Sequence, residues 1–423
     1  MGRWLPVTSF TVMGGRPLRG RITVPGDKSI SHRALLLAAM AEGTSAVRGL
    51  SDGDDVARTR AAIEAMGATV DGEKIAGGRS RLHEPDDVLD MGNSGTGIRL
   101  LAGLCAGLPW LTVLTGDASI RRRPMLRIID PLQEMGARIA ARSGQLAPLV
   151  LQRADLHGIA VQTRVASAQV KSAILLAGLS AEGETRVRQH VATRPHTEEL
   201  LALAGADIDV ADEGRDVRLR PTPLEPFELD VPGDPSQAAF WLVAACLVPD
   251  SDVVVENVYL GPTRSAFVDV LARMGADVEQ TGPAEVRARY SPDLLGTEVG
   301  GEEVAGLIDE IPVLAVAAAL AEGETIFADA GELRVKESDR IATTTAGLAA
   351  LGARCEPTND GFVVHGPSTL HGALTTSHGD HRIAMALAVA GLAAEGASTI
   401  DGWDAVATSY PGFEHDLERL CGS

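Results

Sequence analysis

Aromatic residues and cysteines are scarce in this chain of 423 residues. Phe, Trp and Tyr together make up only 3% of it, so the core is predicted to consist of smaller side chains that let helices approach closely. The four cysteines (Cys105, Cys246, Cys355 and Cys421) are too scattered for a zinc motif or a disulfide framework. This pattern is typical of a reducing compartment.

Positive charge and long apolar runs are also in short supply. The formal net charge is −19 at pH 7, which argues against nucleic acid or an anionic membrane as a partner. Small anionic substrates remain possible, provided that the cations converge in one place. Apolar runs such as residues 383–394 are too short to span a bilayer, and residues 1–10 lack the pattern of a signal peptide. We therefore expect a soluble, cytoplasmic protein.

What the sequence does contain is a long repeat. An apolar turn followed by Gly-Ala recurs at intervals of 69, 69, 70 and 77 residues, with the glycines at Gly67, Gly136, Gly205, Gly275 and Gly352. A run rich in Ala and Leu occurs six times, beginning near residues 33, 98, 172, 238, 312 and 383. A fixed period of this length predicts that the chain is built from repeated structural units.

Each unit is predicted to alternate helices and strands. In the first unit, a helix that is apolar on nearly every side is followed by a β-branched strand at residues 44–47. A second helix then ends at Gly67, a residue suited to the left-handed conformation after a helix, and further short strands follow. The predicted fold class is α/β (α+β), with buried helices surrounded by sheets.

A second repeat indicates two domains. Val-Pro-Gly-Asp at residues 24–27 returns at residues 231–234, which is 207 residues later. A chain of this length exceeds the size of one ordinary core. We predict two similar domains of three units each, one formed by residues 25–231 and a discontinuous one formed by residues 1–24 plus 232–423.

Cations recur at one phase of the repeat, immediately before predicted helices or in their first turn. Helix N-termini present free N–H groups and a partial positive charge, so they bind anions readily. A cation at this position is repelled by the positive end of the helix dipole. An anion bound beside it would offset that repulsion. The recurrence therefore predicts an anion-binding site that includes Lys28, Arg33, Arg123, Arg194, Lys336, Arg340 and Arg382.

Several polar residues have a simpler explanation. Asp52, Ser236 and Thr263 are each interpreted as helix caps, and Arg121 and Arg122 as solvated charges. The glycine-rich turn at residues 92–97 matches neither a Walker loop nor a dinucleotide fingerprint, so it does not predict nucleotide binding.

Three segments together resemble one enzyme family. Residues 25–34 (PGDKSISHRA), 92–99 (GNSGTGIR) and 334–340 (RVKESDR) are similar to the 5-enolpyruvylshikimate-3-phosphate synthases, also called 3-phosphoshikimate 1-carboxyvinyltransferases. The resemblance extends from Pro25 to Pro411, and residues 167–171 (SAQVK) and 194–198 (RPHTE) resemble the class II branch. It implies an inside-out α/β barrel fold of two domains, each with three βαβαββ units, and an active site in the cleft between them.

The same resemblance implies the reaction. The enolpyruvyl group of phosphoenolpyruvate moves to the 5-hydroxyl of shikimate 3-phosphate by addition and elimination, and phosphate is released. The step belongs to the shikimate pathway of aromatic amino-acid biosynthesis and is the target of the inhibitor glyphosate. No metal or organic cofactor is implied, and we expect a monomer.

The roles of individual residues are carried over from the family motifs. Asp309 corresponds to the proton acceptor at the 5-hydroxyl and Glu337 to the proton donor to the methylene carbon, with Lys336 beside both and Lys28 shared between the substrates. Shikimate 3-phosphate is expected to contact Lys28, Ser29, Arg33, Ser167, Ala168, Gln169, Arg194, Asp309 and Lys336. Phosphoenolpyruvate is expected to contact Lys28, Asn93, Gly95, Arg123, Gln169, Glu337, Arg340 and Arg382.

Two alternatives remain at this point. The sister transferase that acts on UDP-N-acetylglucosamine shares the fold, but the loop at residues 118–124 lacks the cysteine which that enzyme uses. A repeat-built binding or scaffolding protein without activity is the other alternative, and the presence of Asp309, Lys336 and Glu337 argues against it. The family pattern is not followed at Glu332, His196 and Thr408.

Overall fold

The structure is a computed structural model that describes residues 8–422. Residues 1–7, which include most of the segment without a signal-peptide pattern, lie outside the described residues, as does Ser423. In the part that is described, no helix has both the length and the apolar character needed to cross a membrane.

Strands and helices are numbered separately in chain order. The strands are β1 (Ser9–Met13), β2 (Arg19–Thr23), β3 (Gly43–Arg48), β4 (Thr69–Asp71), β5 (Lys74–Gly77), β6 (Leu89–Asp90), β7 (Thr112–Thr115), β8 (Arg138–Arg142), β9 (Leu146–Gln152), β10 (Ala160–Gln162), β11 (Thr185–Arg188), β12 (Asp207–Ala211), β13 (Asp216–Arg220), β14 (Glu228–Asp230), β15 (Asp252–Glu256), β16 (Asp277–Gly282), β17 (Glu285–Arg289), β18 (Glu298–Val299), β19 (Gly323–Phe327), β20 (Arg354–Pro357), β21 (Phe362–Gly366), β22 (Leu374–Thr376) and β23 (Ala397–Asp401).

The α-helices are α1 (Lys28–Met40), α2 (Asp54–Ala65), α3 (Gly95–Ala106), α4 (Leu126–Glu134), α5 (Ala168–Gly178), α6 (His196–Leu203), α7 (Pro235–Leu247), α8 (Ala266–Arg273), α9 (Val304–Leu307), α10 (Ile311–Leu320), α11 (Arg340–Ala350), α12 (His381–Leu392) and α13 (Phe413–Cys421). Short 3₁₀ helices cover Ile120–Arg122, Asp212–Gly214, Gly301–Glu303, Gly331–Val335 and Trp403–Thr408.

Contacts divide the chain into two compact units. One, here called the continuous unit, is Gly26–Val231. The other, here called the split unit, combines the residues up to Pro25 with those from Pro232 onward. Whether these units are the two predicted domains with a shared site stays a proposal.

The sheets repeat one topology. Among residues 8–422, five sheets have four strands and one has three. In a typical sheet, β6 runs parallel to β7, β7 is antiparallel to β9, and β9 is antiparallel to β8. Helix α3 makes the crossover that a parallel pair requires, and α4 connects β7 to β8. This order is βαβαββ, and the predicted α/β fold class is confirmed.

One sheet in each unit is completed by a strand from a distant part of the chain. Strand β14, at the end of the continuous unit, lies parallel to β3 near its beginning. In the split unit, β2 precedes the continuous unit in sequence yet lies parallel to β15, which follows it. The chain therefore leaves the split unit after β2 and returns to it before β15.

The alanine-rich helices form the interior of each unit. In the continuous unit α3 packs against α5, and in the split unit α10 packs against both α7 and α12. Every residue of α7 is buried. At Gly103 of α3, an added Cβ would lie 2.2 Å from the carbonyl oxygen of Ala173 in α5, so only glycine permits this helix contact. The predicted close packing of buried helices is confirmed.

The glycines of the long repeat terminate the second helix of five units. All five have positive φ, from +78° at Gly205 to +106° at Gly67. After α2, the N–H of Gly67 donates to Glu64 O and the N–H of Ala68 donates to Ile63 O. The same pair of bonds follows α4, α6, α8 and α11. This is the Schellman motif, in which glycine supplies the left-handed residue, and the predicted helix ends are confirmed.

Three predicted helix caps are wrong. The residue before α2 is Gly53 rather than Asp52, and the residue before α8 is Ser265 rather than Thr263. Helix α7 is capped by Asp234, whose carboxylate accepts from the N–H of Ser236 at 2.9 Å. Each of these segments contains several residues able to cap a helix, and the choice between them depends on where tertiary packing starts the helix.

Candidate active site

The N-terminus of α1 carries the first group of predicted site residues. Asp27 caps the helix by accepting from the N–H of Ile30 at 2.8 Å, and Lys28 and Ser29 are its first two residues. The Lys28 ammonium lies 3.0 Å from Oδ2 of Asp55, which is only 4% exposed. A cation is thus held at a helix N-terminus by a buried carboxylate.

Arg33, one turn further along α1, is buried among hydroxyl groups. Its Nε donates to Thr197 Oγ1 at 2.6 Å, and Nη2 donates to Ser172 Oγ at 2.6 Å. Nη1 donates to the carbonyl oxygen and the hydroxyl of Ser29. Burial lowers the pKa of Arg33 to about 10, opposed by the charges of Glu198 and Asp27. The guanidinium nevertheless stays charged at neutral pH.

Helices α3 and α5 bring a second group together. Ser94 and Ser167 cap them by accepting from the N–H groups of Gly97 and Val170. Gln169, in the first turn of α5 after Ala168, donates to Thr96 Oγ1 at 2.9 Å and accepts from Arg99 Nη1 at 2.8 Å. These bonds join the N-termini of the two helices.

Arg123 lies against the backbone at the start of α3. An added Cβ at Gly95 would be 2.5 Å from Arg123 Nη1 and 2.8 Å from its Cζ, so the guanidinium fills the space that a side chain would need. Arg123 is 7% exposed, whereas Arg121 and Arg122 are exposed, as predicted for solvated charges. Asn93 is partly buried in the turn that precedes Ser94.

The N-terminus of α6 adds Arg194, two residues before the helix, and His196, its first residue. Arg194 is partly exposed, and its charge lowers the pKa of Arg33. His196 is fully buried, with Nδ1 3.1 Å from Ser29 Oγ and 3.9 Å from Asp27 Oδ1. Although His196 departs from the family pattern, the structure places it directly beside the first residues of α1.

In the split unit, three predicted cations converge on Asp309. This residue lies between α9 and α10, and its Oδ1 is 3.0 Å from Arg340 Nη1, 3.5 Å from Lys336 Nζ and 3.8 Å from Arg382 Nε. The side chain of Arg382 also donates to the carbonyl oxygen of Asp309 at 3.4 Å. A single carboxylate therefore balances part of a concentrated positive charge.

Arg340 connects that carboxylate to two others. Its Nη2 donates to Glu337 Oε2 at 2.6 Å, and Nε donates to Asp380 Oδ2 at 2.8 Å. Burial alone would lower the pKa of Arg340, but Asp380, Glu337 and Asp309 raise it above its ordinary value. Asp380 also caps α12 by accepting from the N–H of Arg382 at 3.0 Å. One buried arginine thus fixes the position of Glu337 relative to Asp309.

The structure brings the predicted residues into two clusters, one in each unit. Lys28, Ser29, Arg33, Asn93, Gly95, Arg123, Ser167, Ala168, Gln169 and Arg194 belong to the continuous unit, and Asp309, Lys336, Glu337, Arg340 and Arg382 belong to the split unit. Both clusters are suited to binding anions, and the second also supplies two carboxylates for proton transfer. Among residues 8–422, no group of three or more His, Cys, Asp or Glu side chains is arranged to hold a metal ion.

The sequence reasoning missed the acidic partners of these cations. Asp55 pairs with Lys28, and Asp380 pairs with Arg340. It also missed a buried group in which Arg264 lies 2.8 Å from Asp234 Oδ1 and 3.4 Å from Glu310 Oε1. Asp234, Glu310 and Asp380 directly precede helices and Asp55 is in the first turn of α2, so their position at helix N-termini was the available signal.

Known proteins are similar to this chain over nearly its whole length. The family model of EPSP synthase (3-phosphoshikimate 1-carboxyvinyltransferase) matches residues 12–417. A 3-phosphoshikimate 1-carboxyvinyltransferase from Gloeobacter violaceus is 50% identical over 429 residues, which cover 97% of this chain and 99% of that protein. One from Herpetosiphon aurantiacus is 48% identical over 423 residues, which cover 95% of this chain and 97% of that protein.

Solved structures show the same fold. EPSP synthase from Acinetobacter baumannii aligns with a TM-score of 0.84 at 41% identity, covering 97% of this chain and 98% of that one. The enolpyruvyl transferase NikO from Streptomyces tendae aligns with a TM-score of 0.79 at 21% identity, covering 98% of both chains. At that identity the second similarity supports the fold alone.

Proposed function

The chain belongs to the EPSP synthase (3-phosphoshikimate 1-carboxyvinyltransferase) family, and we propose that its two clusters of cations together form the substrate site. The reaction transfers the enolpyruvyl group of phosphoenolpyruvate to the 5-hydroxyl of shikimate 3-phosphate and releases phosphate. It is a step of the shikimate pathway. Two phosphates and two carboxylates must be bound at once, which accounts for the number of lysines and arginines.

Shikimate 3-phosphate is assigned mainly to the continuous unit. Lys28, Ser29 and Arg33 lie on the first turns of α1, and Ser167, Ala168 and Gln169 lie at the start of α5. Helix N-termini with adjacent cations favour a phosphate group. Arg194, Asp309 and Lys336 complete the assigned contacts.

Phosphoenolpyruvate is assigned to residues of both units. Arg123 beside Gly95, with Asn93 and Gln169, would bind it from the continuous unit, and Lys28 is shared between the substrates. Glu337, Arg340 and Arg382 would bind it from the split unit. Arginine can grip a carboxylate or a phosphate with two parallel bonds, which suits a ligand that carries both groups.

Asp309 and Glu337 are assigned to the two proton transfers. Addition requires that the 5-hydroxyl lose a proton and that the methylene carbon of phosphoenolpyruvate gain one. Asp309 would accept the first proton and Glu337 would supply the second, with Lys336 stabilising charge beside them. The observation that carries this assignment is the convergence of Lys336, Arg340 and Arg382 on Asp309, with Glu337 bonded to the same Arg340.

Phosphate release from phosphoenolpyruvate tests the function directly. We expect release with shikimate 3-phosphate and none with UDP-N-acetylglucosamine. Release only with the nucleotide sugar would indicate the sister transferase, and release with neither would indicate a binding protein without activity. A Glu337→Gln sample, purified in the same way, reports any turnover contributed by an enzyme of the expression host.

We also propose that the protein acts as a cytoplasmic monomer. All four cysteines are free thiols, which is typical of a reducing compartment. Light scattering across a range of protein concentrations tests the oligomeric state, and a mass above 44.1 kDa would show association.

A further inference from the structure

A buried ion pair lies beneath the residues assigned to shikimate 3-phosphate. Lys171 of α5 is 1% exposed and Glu198 of α6 is 3% exposed, and Nζ lies 2.5 Å from Oε1. Outside this contact, neither oxygen of Glu198 has a hydrogen-bond partner within residues 8–422. The position of the carboxylate therefore depends on its contact with Lys171.

Arg33 is a second cation whose charge interacts with Glu198. Arg33 donates to Thr197, which precedes Glu198, and to Ser172, which follows Lys171. The four residues thus lie on the two adjoining helix turns that hold the guanidinium. The three charges also affect one another, since Glu198 raises the pKa of Arg33 and Arg33 lowers that of Lys171.

The direct partners of Arg33 are neutral. Ser172 donates its single hydroxyl proton to Ala168 O at 2.5 Å, so the 2.6 Å bond between Ser172 and Thr197 must be donated by Thr197. Both hydroxyls then accept from Arg33 and carry no charge. The guanidinium is oriented by neutral groups, while Glu198 and Asp27 act on its charge without a direct hydrogen bond, which leaves its N–H groups suited to an anionic substrate.

We infer that Lys171 is a positioning residue that holds the Glu198 carboxylate away from Arg33, so that the charge of Arg33 remains directed at the anionic substrate. The inference rests on the proposed function because it takes that substrate to be shikimate 3-phosphate. Without Lys171, Glu198 would be a buried anion next to Arg33 and would compete with the ligand. Without both charges, Arg33 would again be held only by neutral groups.

The test compares Lys171→Met with the double variant Lys171→Met/Glu198→Gln. By calorimetry, we expect the single variant to bind shikimate 3-phosphate about tenfold or more weakly, because a charge-assisted contact is lost. We expect the double variant to recover to within about threefold of the wild type, because the competing carboxylate is gone. Lys171→Arg should retain affinity, and Lys74→Met, which removes an exposed lysine of the same unit, serves as control.

Removing both members of a buried ion pair also restores stability, so affinities are compared only after urea unfolding shows that both variants are folded. If the folded double variant binds no better than the folded single variant, the inference is overturned. Unchanged affinity in Lys171→Met would overturn it as well. A crystal structure of Lys171→Met gives an independent readout: we expect Glu198 within hydrogen-bond distance of Arg33, and a carboxylate that stays away refutes the inference. If the wild type does not bind shikimate 3-phosphate, the proposed function is wrong. The crystal structure of Lys171→Met would still show whether Glu198 contacts Arg33.

Discussion

Gly95 and Arg123 show how a residue without a side chain can determine where another residue places its charge. The guanidinium of Arg123 occupies the volume that a Cβ at Gly95 would need, with the closest atom at 2.5 Å. Both residues are assigned to phosphoenolpyruvate. The absence of a side chain at residue 95 should therefore affect how phosphoenolpyruvate binds, because an added side chain would displace the Arg123 guanidinium.

Gly95→Ala is predicted to displace Arg123 and to raise the KM for phosphoenolpyruvate about tenfold or more, because part of a charge-assisted contact is lost. We expect a larger loss for glyphosate, which the family resemblance places at the same position. Steady-state kinetics with and without the inhibitor measure both effects, and Gly412→Ala, at an open position, is the control. Equal losses for substrate and inhibitor would argue against a tight fit at Gly95.

His32 is a second residue whose surroundings have a measurable consequence. It is fully buried, and its Nδ1 lies 2.7 Å from Thr59 Oγ1. Burial, together with the charges of Lys28 and Arg33, holds the pKa of His32 well below its ordinary value of 6.5. The imidazole is therefore neutral in the folded protein at pH values where the unfolded chain takes up a proton.

This difference makes the folded state less stable as the pH falls below 6.5. Between pH 7.5 and 5.5 the free energy of unfolding should fall by roughly 1 kcal/mol more in the wild type than in His32→Asn, which cannot titrate. Asparagine can keep the contact with Thr59. Urea unfolding at the two pH values measures the difference, and identical pH dependence in both proteins would show that His32 titrates normally.

At the scale of elements, the Schellman motifs explain why the sequence repeat is visible at all. Each repeated glycine must adopt a left-handed conformation, and the alanine after it donates the second bond of the motif. Gly275 is the cleanest example, with φ at +85° and only Asp293 O, at 3.6 Å, near an added Cβ. A substitution there tests conformation without a steric clash.

Gly275→Ala is predicted to lower the free energy of unfolding by about 1 kcal/mol, since the left-handed strain exceeds the entropy gained by replacing glycine. Gly275→Asn should cost less, because asparagine tolerates this conformation better. Gly412→Ala, at φ −86° and in open space, should change stability by less than about 0.5 kcal/mol. Denaturant midpoints compare the three, and equal stability of the Gly275→Ala and Gly412→Ala variants would contradict the strain argument.

The elements also show what the sequence could and could not predict. The helix ends at Gly67 and its counterparts were predictable because the left-handed conformation demands one residue type. The cap of α7 was not, because Asp234 and Ser236 are both good capping residues and packing chose between them. For the site, the cations at helix N-termini were predictable from their recurrence. Their partners Asp55 and Asp380 were not, because they lie 27 and 40 residues away in sequence from Lys28 and Arg340.

At the scale of the whole molecule, the distribution of charge matters more than its sum. The chain carries a net charge of −19, yet Lys28, Arg33, Arg123 and Arg194 belong to the cluster of the continuous unit, and Lys336, Arg340 and Arg382 to that of the split unit. A local concentration of cations can bind small anions even when the protein as a whole repels them. If the proposed site includes residues of both clusters, then a bound pair of ligands should slow hydrogen exchange in both units.

Hydrogen exchange read by mass spectrometry tests this expectation. With saturating shikimate 3-phosphate and glyphosate, we predict slower exchange at the first turns of α1 and α5 in the continuous unit and of α11 and α12 in the split unit. The first N–H groups of a helix lack partners within it, so an anion bound there protects them. At ligand concentrations about 100 times the Kd, exchange through ligand-linked opening should slow by about 100-fold.

Inorganic phosphate alone provides the control, since one small anion cannot engage both clusters and should leave exchange in at least one unit unchanged. Protection confined to the continuous unit would remove Arg340 and Arg382 from the site while leaving the assignment of shikimate 3-phosphate intact. We expect the ligand pair to slow exchange in both units and shikimate 3-phosphate alone to leave α11 and α12 unchanged. This result would assign phosphoenolpyruvate to the arginines of the split unit. Because the two ligands can be added separately, the same measurement distinguishes which cluster binds which anion.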